Sequence, residues 1–76
     1  MRAIYKMSRT ASFVLWLDGE SIEYRVSNTL GADIYTCAYS HKQARYQIIT
    51  RLARYMHASP RYIDIEHDDI KLERYL

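Results

Sequence analysis

The chain predicts an α+β fold: an antiparallel sheet of four or five strands in the order β-β-β-α-β-β, with one amphipathic helix packed on one face. Three observations carry this expectation. Two strand-like runs flank an Asp18-Gly19 pair, a single stretch of helical periodicity runs from His41 to about His57, and the end of the chain returns to period-two alternation.

Residues 1–10, MRAIYKMSRT, are basic and weakly patterned, because alternation through Arg2, Ile4 and Lys6 does not separate polar from apolar faces. They read as a basic arm or a short edge strand, with residues 11–76 as one α+β domain. Phe13–Leu17 is apolar on both faces, the pattern of a strand that is central in its sheet or covered on its second face. Asp18-Gly19 is a hairpin marker, since Gly tolerates positive φ. In Ser21–Val26, Ile22, Tyr24 and Val26 alternate with Ser21, Glu23 and Arg25. Residues 27–31 read as a loop, and Asp33–Tyr39, rich in Ile, Tyr and Thr, as a third strand.

Ser40 is placed as the N-cap of the helix, whose apolar stripe comprises Ala44, Ile48, Ile49, Leu52, Ala53 and Met56. Ala58-Ser59-Pro60 ends it. Arg45 falls inside the stripe, so it must either snorkel past the helix start or pair with an acid of the terminal segment. Arg61–Leu76 reads as a second hairpin, with Ile63, Ile65, Ile70 and Leu72 inward and His67-Asp68-Asp69 at the turn.

Seventy-six residues make one domain with little room for a deep catalytic cavity. The 49% hydrophobic content is that of a globular chain. No apolar run approaches the roughly 18 residues of a membrane span, and no signal-peptide-like run follows Arg2, Lys6 and Arg9, so a cytoplasmic location is expected. Cys37 is the only cysteine, which excludes an intrachain disulfide and reads as a buried structural thiol. No nucleophile–base pair and no glycine-rich phosphate loop is present, and His41, His57 and His67 lack metal-ligand spacing. The chain therefore reads as non-enzymatic, with no cofactor and no metal.

Five of the eight arginines stand directly beside one of the eight tyrosines, and both residue types are favoured at interfaces. Adjacent residues diverge on strands and helices, so these dipeptides are expected to split between faces rather than act as pairs. The charge is uneven: residues 1–62 carry nine basic and four acidic side chains, and 63–76 carry two and five. With one helix covering one sheet face, the bare face would hold Glu23, Arg25, Asp64, Glu66, Lys71 and Glu73 around exposed aromatics. Those carboxylates would repel phosphates, which favours a protein partner, or a second copy of the chain docked on the bare face.

The expected contacts are Trp16, Tyr35, Tyr39, Tyr62 and Tyr75 on the sheet, with Arg51 and Arg54 on the helix. The function expected from this surface is that of a small non-catalytic binding module occupying a site on a protein. The alternative is nucleic-acid binding by the N-terminal arm and a basic helix face comprising Lys42, Tyr46, Arg51, Arg54 and His57. In length and composition the chain resembles the small α+β inhibitors of phages and other mobile elements, anti-CRISPR proteins among them. That resemblance implies a host defence protein as target and transfers no residues.

Overall fold

The computed structural model describes residues 1–17, 22–28 and 31–76. Strands β1 (Ala3–Met7), β2 (Ser12–Leu17), β3 (Ile22–Ser27) and β4 (Ile34–Ala38) precede helix α1 (His41–Met56). Strands β5 (Ile63–Asp64) and β6 (Ile70–Tyr75) follow it, and short 3-10 turns occupy Pro60–Tyr62 and His67–Asp69. The α+β class and the one helix are as expected. The single sheet of four or five strands is not: the strands form two antiparallel three-stranded sheets, ordered β4-β1-β6 and β3-β2-β5.

Residues 1–10 supply the central strand of the first sheet instead of an arm or an edge. The apolar alternation lies at Ala3, Tyr5 and Met7, all buried, while Ile4 and Lys6 point to the other face. β1 pairs with β4 from Ala3↔Ala38 to Met7↔Ile34 and with β6 from Ala3↔Tyr75 to Met7↔Ile70. A register shift between Ile4 and Tyr5 marks a bulge in the second pairing.

This central strand also explains why the expected terminal hairpin is absent. Once β1 has an edge to fill, β6 pairs there, and β5 joins β2 in the other sheet through Val14↔Asp64 and Leu15↔Ile63. His67–Asp69 is a 3-10 turn that carries the chain from one sheet to the other. The β2–β3 hairpin forms as expected, in register from Ser12↔Ser27 to Leu17↔Ile22, with β2 central. Its Asp18-Gly19 turn and Ser21 lie outside the described residues, as do Thr29 and Leu30 of the expected loop.

Ser40 caps α1, its Oγ accepting from the Gln43 amide at 3.1 Å. The helix ends at His57, in the left-handed region at φ 55°, before Pro60 is reached. The Ala58 amide bonds the Ala53 carbonyl at 2.9 Å, closing the last turn. α1 packs on the three strands of the first sheet and on β5, whereas β3 packs substantially only on β2. The core joins Ile48 and Leu52 of the helix to Met7 and Phe13, one from each sheet. Asn28 ties the sheets at their junction: its amide donates to the Ala11 carbonyl at 3.0 Å and its Nδ2 to the Ser8 and Ala32 carbonyls at 3.2 Å.

Arg45 pairs with an acid of the terminal segment. Its Nη2 contacts Asp64 Oδ1, and its Nε donates to the Ile65 carbonyl at 3.0 Å. His41 is held by two backbone carbonyls. Its Nε2 lies 2.9 Å from both the His67 and Ile70 carbonyls, which can only accept, so that nitrogen carries the proton. The His41 ring stacks on His67 at 3.8 Å and meets the edge of Tyr5 at 6.1 Å. Cys37 is half-buried.

Candidate functional site

Side chains directly opposite in an antiparallel pair share a face. In the β2–β3 hairpin one face therefore carries Phe13–Val26, Leu15–Tyr24 and Leu17–Ile22, and the other carries Val14–Arg25 and Trp16–Glu23. Burial falls steadily along the first face. Phe13 is in the core, Leu15 and Val26 are half-buried, and Leu17, Ile22 and Tyr24 are 43%, 44% and 51% exposed. The hairpin thus carries an apolar face out of the core and into solvent.

Beside this face lies an open groove of about 290 Å³. Residues Leu15–Leu17 form one wall, and His57, Ala58, Ser59 and Tyr62, which follow the helix, form the other. Tyr62 is held beneath the Arg61 guanidinium, 5.4 Å from its ring centroid. This pair does act together, contrary to the expected splitting of the Arg–Tyr dipeptides, because it sits on a 3-10 turn and not on a strand.

The structure brings Trp16, Tyr62 and His57 together at this groove. It does not join them to the other expected contacts. Tyr35 is exposed on the first sheet, on the face opposite buried Ile34 and Ala38. Tyr39 lies just beyond β4, its amide donating to Gln43 Oε1 at 2.7 Å. Tyr75 is exposed at the end of β6, opposite Ala3. Arg51 donates through Nη1 to the Tyr35 carbonyl at 3.0 Å, and Arg54 is exposed on α1. The bare aromatic face on which a second copy was expected to dock is consequently divided between two sheets.

The expected carboxylate array is divided as well. Asp64 pairs with Arg45, Glu73 pairs with Lys6 of the first sheet at 3.7 Å, and Glu66 lies between β5 and β6. On the first sheet, Lys6 and Lys71 sit opposite one another, as do Ile4 and Arg74, so its outer face is more basic than the sequence suggested. On α1, Lys42, Tyr46, Arg51 and Arg54 are exposed, with His57 just beyond, and the helix contains no Asp or Glu.

Leu17, Ile22 and Tyr24 are not among the contacts expected from the sequence, and Leu72, expected inward, is exposed as well. A signal existed in the dimensions. A 16-residue helix is about 24 Å long and about 10 Å wide, enough to cover two or three strands spaced about 4.8 Å apart. Any further hairpin had to leave part of its apolar face uncovered.

Among the described residues no three His, Cys, Asp or Glu side chains cluster as metal ligands, and no helix is long and apolar enough to cross a membrane. No protein-family model, curated protein or solved structure matches the chain.

Proposed function

We propose that this chain is a small non-catalytic binding module that acts by occupying a surface on a protein partner, with the β2–β3 hairpin and its groove as the docking element. The observation that carries the reading is the exposed apolar face of Leu17, Ile22 and Tyr24, continuous with a groove lined by Trp16 and Tyr62. Contiguous apolar surface rimmed by polar residues marks a partner site, and Trp and Tyr supply the anchors such sites favour. The resemblance in size and composition to mobile-element inhibitors makes a host defence protein the first partner to test. The experiment is capture from source-cell lysate by wild type and by the Leu17→Asp and Trp16→Ser variants, with folding checked by circular dichroism. A protein retained by wild type and lost from both folded variants supports the proposal, and equal retention by all three refutes it.

One observation favours a second reading: the solvent face of α1 is basic and free of acids, and the carboxylates expected to repel phosphates lie elsewhere. Lys42, Tyr46, Arg51, Arg54 and His57 would line a nucleic-acid backbone without the expected arm, since Ala3–Met7 is a strand. Titration of single- and double-stranded oligonucleotides across a salt series tests it. Tight binding that weakens steeply with salt and with Arg51→Ala/Arg54→Ala favours this reading over the protein partner. Weak binding that ignores both substitutions removes it.

A further inference from the structure

The outer strands of the two sheets are not equally open to pairing. β5 has two residues. β4 has its Tyr35 carbonyl occupied by the Arg51 guanidinium. β6 is bulged and carries Lys71, Glu73 and Arg74. Bulges, charges and short length are the usual means of closing a sheet edge. β3 is six residues long and in unbroken register with β2, and among the described residues no side chain hydrogen-bonds its backbone.

We propose that this free edge pairs with β3 of a second copy of the chain, antiparallel about a two-fold axis at Tyr24. The sequence of the strand selects the occupant and the register. In a two-fold antiparallel pair each residue sits opposite its mirror position about the axis, and opposite residues share a face. An axis at Glu23 sets that carboxylate against itself, and an axis at Arg25 sets that guanidinium against itself. An axis at Tyr24 sets Glu23 against Arg25 of the other copy twice, Tyr24 against Tyr24, and Ile22 against Val26.

Charges are matched on one face and apolar side chains on the other, in the strand order Ile22-Glu23-Tyr24-Arg25-Val26. Each protomer leaves these charges available. Glu23 makes no ion pair among the described residues, and Arg25 makes only a hydrogen bond to Ser12 Oγ at 3.2 Å. Joining the edges makes one six-stranded sheet and places the exposed Ile22 and Tyr24 of both copies side by side. The dimer uses the edge of β3 and leaves the groove open, so it goes beyond partner binding and stands or falls separately from it.

The test is the oligomeric state of the full chain by sedimentation over a concentration series, for wild type, Glu23→Arg, Arg25→Glu and the double charge swap. All substituted side chains are exposed, and circular dichroism verifies each fold. Wild type is expected to pass from monomer to dimer. Either single swap sets like charges opposite twice and weakens the dimer about tenfold or more, and the double swap restores it. A wild type that stays monomeric at every concentration overturns the proposal, as do single swaps without effect or a double swap that fails to restore dimerisation. Amide exchange on wild type alone gives a reading free of variants. Amides of Ile22–Ser27 that slow with concentration support the pairing, and exchange independent of concentration contradicts it.

Discussion

The two sheets have the same number of strands and the same antiparallel pairing, yet they do different work. In the first, α1 lies across all three strands, and Ala3, Met7, Ile34 and Ile70 are buried beneath it. In the second, only the end nearest the helix is covered, through Phe13 and Ile63, and β3 is exposed along most of its length. The helix thus divides the molecule into a covered part that secures the fold and an open part, which is the one the proposed function uses. A small domain has few apolar residues to spare, and exposed Leu17, Ile22 and Tyr24 add little to its core, as the proposed docking surface would require.

Substitution at the covered end gives the largest expected effect. Leu52→Ala removes a fully buried side chain and destabilises by about 2–5 kcal/mol, enough to unfold much of the population in thermal or urea denaturation. A small loss would mean that the helix–sheet core is not where the stability resides. Next comes the link between the two parts. Arg45→Met removes the Asp64 pair and the bond to the Ile65 carbonyl, for an expected loss of about 1 kcal/mol in urea titration. Both charges are partly solvated, so the difference between variant and wild type should shrink in high salt. His57→Gly works in the opposite direction, relieving a left-handed residue at the helix end and stabilising by up to about 1 kcal/mol by the same assay. Because His57 also lines the groove, the proposed docking predicts that this variant gains stability while weakening partner retention. The smallest effect on stability is expected at the open end, where Tyr24→Lys should change the unfolding free energy by less than about 0.5 kcal/mol.

Where local signals were decisive, the sequence was readable. Ser40 caps α1, the β2–β3 hairpin forms, and β2 is central, as its two apolar faces required. β1 was obscured because its buried set is Ala3, Tyr5 and Met7, none strongly hydrophobic in pattern, while attention falls on the charged Arg2 and Lys6. Without a central β1, the alternation after Pro60 can close only on itself as a hairpin, and the existence of two sheets cannot be inferred. Pairing of distant strands is a tertiary outcome that period-two alternation does not encode. Trp16 and Tyr62 are expected contacts from residue type alone, but their meeting at one groove depends on the 3-10 turn at Pro60–Tyr62 returning beside β2. Ile22 and Tyr24 are hidden in the sequence because an alternating apolar strand looks the same whether or not a helix covers it, and Leu17 because a strand apolar on both faces does not show which face is left open.

The most direct test of this division of labour is side-by-side capture from source-cell lysate by wild type and a Leu17→Asp/Tyr24→Lys double variant whose folding is confirmed by its melt. The account predicts that the variant melts within about 4 °C of wild type and loses the protein that wild type retains. A variant that still retains that protein, or one that unfolds outright, would contradict it.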